Sequence, residues 1–246
     1  MVTAMRALAA LRKLVEHRSF INGAWTVATL TFLVTILFVF LKVPQAQPQA
    51  GGIAQKIFYF HVPAAISLYV CGIVCAIASA LYLVEPTDKR DAWAQAGAEC
   101  ATVFGGMVMV SGPLWGKKAW GVYWTWDPRL TSLLLAVLIY VALVVLRRFA
   151  GNGDAERRFA AAFGILGTAI LPIVHYSVKL WGGNHPTVLK VNGGGGLQDI
   201  TMKVAINMGL VAMWILAFLL LSLRAKLALS HSRLLRAEEL APDING

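Results

Sequence analysis

Four tryptophans, a tyrosine, two lysines, an aspartate and an arginine crowd into one short stretch, Trp115 to Arg129, reading WGKKAWGVYWTWDPR. Three histidines stand beside apolar runs elsewhere: His61 in FYFHVPAA, His175 in LPIVHYS and His185 in WGGNHPT. Indoles offer a flat apolar shelf, and imidazoles bind iron. The chemistry this set supports is the holding of a flat, metal-bearing macrocycle. The shelf receives one face, and two imidazoles reach the metal from opposite sides, as in six-coordinate haem. Carboxylates on the macrocycle edge would meet cations such as Arg129, Lys117 or Lys118. His61 and His185 are the candidate axial ligands, and each needs its second ring nitrogen fixed by a partner. His175, with Pro172, Tyr176 and Ser177 around it, suits a polar packing contact between helices. His17 and His231 lie in basic segments and carry no role. Met107, Met109 and Met202 read as core filling. The plainer alternative for the tryptophans is an aromatic belt at a membrane interface.

The elements that must position these groups follow from composition. Of 246 residues, 58% are hydrophobic and only 14% are charged, the profile of an all-α polytopic membrane protein with no separate soluble domain. The net charge of +10 invites a nucleic-acid reading, but the cations flank apolar runs, which is what membrane orientation requires. Cys71, Cys75 and Cys100 fall in apolar runs and read as small core residues. No CxxCH is present for covalent haem attachment, and no P-loop for nucleotide.

Six spans are expected, at about residues 21–42, 58–84, 94–114, 130–146, 159–180 and 202–223, each long enough at about 1.5 Å per residue to cross an apolar layer of about 30 Å. Residues 1–20 read as a basic cytoplasmic surface segment, with the first span uncleaved. Residues 43–57 read as an exposed loop, and residues 224–246 as a frayed cytoplasmic tail. A second Gly-rich loop, 181–201, carries four consecutive glycines at 193–196 and sets Asn184 beside His185. Fourteen lysines and arginines fall on the side of both termini and eight on the other, which puts both termini in the cytoplasm. The tryptophan-rich stretch, His61 and His185 then face outward, in a bacterium the periplasm. Trp120 and Trp124, four apart, would share a face if the stretch were helical.

WGVYWTWD, Trp120 to Asp127, fits the Trp-Gly-x-x-Trp-x-Trp-Asp signature of the haem-handling protein family. The longer PLWGKKAWGVYWTWDPRLTS, together with FHVPAA and PIVHYSV, resembles the cytochrome c maturation protein C (haem exporter protein C) branch over nearly the whole chain. The resemblance implies non-covalent haem b held in transit at the outer surface of the bacterial inner membrane. It implies His61 and His185 as axial ligands, and Trp115, Trp120, Trp124, Trp126, Asp127 and Arg129 as the remaining haem-handling residues. It also implies transfer to a periplasmic haem chaperone, alongside the ATPase and membrane subunits of an ABC transporter and a small single-span subunit. Membrane lipid is the remaining partner and nucleic acid is none. The segment around His185 matches the branch less closely than FHVPAA does. Competing functions are a cytochrome c synthase, against which the compact chain argues, an intramembrane b-type electron carrier and a haem channel through the bilayer.

Overall fold

The computed structural model describes residues 2–48, 51–151, 153–183, 185, 197 and 199–240, with side chains from residue 21 to 237 of that set. The chain is an all-helical polytopic membrane protein, with no strand among the described residues. Its long helices are α1 (Val2–Leu41), α2 (Gln55–Val84), α3 (Asp88–Trp120), α4 (Pro128–Phe149), α5 (Asp154–Trp181) and α6 (Ile200–Leu240).

Five of the six are long and apolar enough to cross a membrane, and α3 is the exception. It carries Asp88, Lys89, Arg90, Asp91, Glu99, Lys117 and Lys118, and much of the rest is alanine and glycine. Such a helix suits the interior of the bundle, where neighbours rather than lipid meet its surface. α3 indeed packs against α2, α4 and α6, and more lightly against α5. Gly97 lets it lie directly on α2, since a Cβ there would stand 2.5 Å from the Cys75 backbone nitrogen. Cys71, Cys75 and Cys100 are buried free thiols in this contact, and Phe104, Tyr140, Leu68, Leu143 and Leu171 fill the rest of the core. α1 stands at the edge against α6 and turns Leu30, Leu33, Val34, Leu37 and Phe40 outward, as a lipid-facing helix must.

Three expectations change. The basic N-terminal segment is continuous with the first span in one helix of 40 residues, about 60 Å at the usual rise. The tail stays helical to Leu240, because nothing between residues 224 and 240 breaks helical periodicity. Loop 43–57 is not uniformly exposed. Val43, Ala54 and Gln55 are buried, and Val43 packs with Val39, Phe58, Tyr59, Met202, Ala205 and Ile206, tying α1, α2 and α6 together beside the tryptophan-rich stretch. Asn184, the four glycines at 193–196 and residues 241–246 lie outside the described residues.

The far end of the bundle is clamped by charge. Asp91 pairs with Arg147 at 2.8 Å, and Asp88 pairs with Arg157 at 3.0 Å and with Arg236 at 2.8 Å, joining α3 to α4, α5 and α6. Deeper in, Glu99 pairs with Arg224. At the other end, Asp199 caps α6, and the Thr201 hydroxyl and backbone N–H hold its carboxyl below the usual carboxylate range. With its far end fixed, the bundle leaves α2, α3, α4 and α5 to frame a cavity at the end where α3 stops.

Candidate functional site

α3 ends at Trp120 because Gly121 adopts φ +80°, a left-handed cap that residues with a Cβ rarely take. The chain then runs irregularly to Asp127, whose carboxylate caps α4 by accepting from the Arg129 backbone N–H at 2.9 Å, with Pro128 at the first helical position. The tryptophan-rich stretch is therefore half helix and half loop. Trp120 and Trp124 do not share a helical face. Instead the indoles form two edge-to-face pairs, Trp115 with Trp120 at 5.2 Å and Trp124 with Trp126 at 5.8 Å.

Beside them opens a cavity of about 760 Å³, within the usual range of about 300–1,000 Å³ for cofactor and ligand sites. Trp115, Trp120, Trp124, Arg129, His61 and His185 all line it, so three separate stretches of sequence bring candidate site residues to one space. His175 lines it as well, its exposed ring edge-on to Tyr176, and so belongs to the cavity wall rather than to a helix contact. Trp126 and Asp127 do not line it. Trp126 is 77% exposed on the outer side of its pair, and Asp127 is buried beneath the loop as a helix cap. Lys117 and Lys118 stay away too. The Lys117 ammonium donates to the Gly121 carbonyl at 2.9 Å and sits over the Tyr123 ring, as basic residues at helix C-termini do. The second cation on the wall is Lys179.

The two candidate ligands are held differently. The Ser111 hydroxyl donates to the Met107 carbonyl at 2.7 Å, so its oxygen accepts from His61 Nδ1, 2.8 Å away. A hydroxyl has one proton, so this arrangement puts the His61 proton on Nδ1 and leaves an Nε2 lone pair. That tautomer binds metal through Nε2. Gly112 packs against the same ring, where a Cβ would come within 3.3 Å of Cε1. His185 instead faces Arg129, whose Nη1 lies 3.2 Å from its Nδ1. The rest of that guanidinium is tied to α5, donating from Nε to the Val174 carbonyl at 3.3 Å and from Nη2 to the His175 carbonyl at 2.7 Å.

The donor set fits a porphyrin-held iron better than a bare ion. No group of three or more His, Cys, Asp or Glu among the described residues could hold a metal ion. The indole N–H groups of Trp115 and Trp124 are buried without a partner among the described residues, enclosed by protein rather than open to the cavity. Two imidazoles, flat aromatic walls and cations meet the needs of a macrocycle with a carboxylate edge. Ser111, Gly112, Lys179 and Tyr69, whose hydroxyl donates to the Leu171 carbonyl, are the contributors that sequence reasoning missed. A Ser-Gly pair following the apolar run Met107–Val110 was the available signal for the first two.

Comparison with known proteins bears on the cargo. The family model described as Heme exporter protein C matches residues 5–240. Heme exporter protein C of Bradyrhizobium diazoefficiens is 32% identical over 214 residues, covering 86% of this chain and 78% of the relative. The protein of the same name from Escherichia coli strain K12 is 36% identical over 136 residues, covering 54% of this chain and 55% of the relative. That of Rhodobacter capsulatus is 26% identical over 220 residues, covering 87% and 90%.

Proposed function

The chain belongs to the Heme exporter protein C family, and from that premise we propose that it binds haem b non-covalently in the cavity and presents it to a periplasmic haem chaperone. Membership places the protein in haem export for cytochrome c biogenesis. The observation that carries the finer reading is the convergence of His61, His185, Trp115, Trp120, Trp124 and Arg129 on one cavity.

In this reading His61 and His185 are the axial ligands and the tryptophans receive the porphyrin faces. His61, held by Ser111, offers Nε2 to the iron. Arg129 and Lys179 meet the propionates. Trp126 and Asp127 act from outside the cavity, Asp127 by fixing the start of α4 and so the position of Arg129. The exposed Trp126, Tyr123 and Val122 form the apolar tip of the loop, the surface offered to the chaperone. The protein sits in the bacterial inner membrane with both termini cytoplasmic, beside the ATPase and membrane subunits of an ABC transporter and a small single-span subunit. It is a haem-handling and transfer protein, and energy from ATP enters through that transporter.

The test is the absorption spectrum of the detergent-purified protein, oxidised and reduced. A low-spin two-imidazole spectrum is expected, lost or converted in His61→Ala and in His185→Ala and kept in His175→Ala. An unchanged spectrum in both of the first two variants overturns the ligand assignment.

A further inference from the structure

His61 and His185 differ in which ring nitrogen is engaged. An arginine is always a donor, so the contact from Arg129 Nη1 requires His185 Nδ1 to be the acceptor, which puts the proton of the neutral ring on Nε2. A protonated nitrogen has no lone pair for iron. Ligation through Nε2 needs the proton moved to Nδ1, where it would face the guanidinium N–H. Ligation through Nδ1 needs the guanidinium gone. By either route Arg129 must let go first.

We propose that Arg129 is a latch on His185, opened by the carboxylate edge of the incoming porphyrin, so that His61 ligates first and His185 closes the site only over a carboxylate-bearing macrocycle. The proposal rests on the haem reading above and adds an order of ligation and a selectivity to it. The direction of exchange follows from bond strength. A guanidinium–carboxylate contact joins opposite charges and can be bidentate, whereas the neutral imidazole offers a single uncharged acceptor, so a propionate outcompetes the imidazole for Arg129. The geometry permits the exchange without unfolding the wall. Two of the guanidinium's three contacts go to the Val174 and His175 carbonyls on α5, and the third goes to His185 Nδ1. The segment bearing His185 leaves α5 through Gly182 and Gly183, both at positive φ, while the His61 ring is pinned between Ser111 and Gly112. One ligand is thus pinned by its neighbours, and the other is engaged at Nδ1 by the guanidinium.

The test uses the full-length haem-free protein in detergent and two probes, ferric protoporphyrin IX and its dimethyl ester, which lacks the free carboxylates. The expected result is a low-spin two-imidazole spectrum with the first. With the ester, a predominantly high-spin spectrum should depend on His61 and ignore His185→Ala. Arg129→Gln should restore the low-spin spectrum with the ester. A second readout needs no haem. Carbethoxylation of His185, followed by mass spectrometry with His175 as the internal reference, should run several-fold faster in Arg129→Gln than in the unsubstituted protein. Equal low-spin fractions with both porphyrins in the unsubstituted protein would overturn the latch and leave the haem reading standing. No His61-dependent low-spin spectrum with either would overturn both. The porphyrin comparison needs no variant, so poor accumulation of Arg129→Gln would not shield the proposal.

Discussion

His61 Nδ1 and Ser111 Oγ lie 2.8 Å apart, bridging α2 and α3, and the Ser111 proton is already committed to the Met107 carbonyl. This pair fixes both the tautomer and the angle of the ring that the sequence marks as the first ligand. Ser111→Ala should loosen the ring and lower haem affinity by about 10–100-fold, the usual cost of losing the partner of a metal-ligating histidine. Ser111→Thr, which keeps the hydroxyl, should restore it. Haem titration of the purified variants checks this, and unchanged affinity in Ser111→Ala would remove the pair from the site.

Gly112 gives a steric version of the same test. A Cβ there would stand 3.3 Å from His61 Cε1, tight enough to shift the ring by a few tenths of an ångström. Gly112→Ala should therefore perturb the spin state mildly, and Gly112→Leu should abolish low-spin haem while the protein still inserts in the membrane. Electron paramagnetic resonance of the ferric form, read beside membrane-fraction yields, distinguishes ring displacement from misfolding.

Much of the site was legible because the informative residues are chemically unusual for a membrane chain. His61, Trp115, Trp120, Trp124 and Arg129 stand out by type, and each lines the cavity. What the sequence could not convey was where the helix stops. The 3.6-residue period pairs Trp120 with Trp124, but the left-handed backbone at Gly121 breaks the helix between them. The same stop folds Lys117 back onto the Gly121 carbonyl, so it is absent from the wall while Lys179, far along the chain, is on it. Ser111 escaped notice because a serine within a helix ordinarily bonds its own backbone, as this one also does.

The two indole pairs predict a division of labour within the loop. Trp124 lines the cavity and Trp126, its edge-to-face partner, does not. Trp124→Ala should weaken haem retention in the purified protein, as should Trp120→Ala. Trp126→Ala should leave retention near normal and slow transfer to the haem chaperone instead. Haem off-rates to apomyoglobin, measured beside chaperone loading, separate the two effects. Equal off-rates for Trp124→Ala and Trp126→Ala would mean that the cavity wall is not where the porphyrin rests.

Packing predicts a stability contrast between two helical glycines. A Cβ on Gly209 of α6 would come within 2.1 Å of the Tyr59 carbonyl on α2, and backbone atoms cannot step aside cheaply. Gly209→Ala should force the two helices apart and cost about 1–3 kcal/mol or more, the range for overpacked interiors. Gly106 has nothing within 4 Å of its would-be Cβ, so Gly106→Ala should be neutral or slightly stabilising through helix propensity. Thermal unfolding in detergent, followed by tryptophan fluorescence, reads both.

Asp127 offers the sharpest separation of architecture from ligand contact, since it lies within the tryptophan signature yet not on the cavity wall. Its carboxylate accepts from the Arg129 N–H, and a Cβ on Gly183 would fall 2.3 Å from its Oδ2. It therefore stands between the start of α4, which aims Arg129, and the segment that carries His185. Asparagine caps helices about as well as aspartate, so Asp127→Asn should keep both the fold and haem retention. Asp127→Ala removes the cap, at a cost of about 0.5–2 kcal/mol, and frees the first turn of α4 to move Arg129. Retention should fall in Asp127→Ala even though no group facing the cavity has changed. If Asp127→Asn lost haem as completely as Asp127→Ala, the carboxylate charge itself would be what matters. The residue would then act through that charge on the segment that carries His185, and not through its helix cap alone.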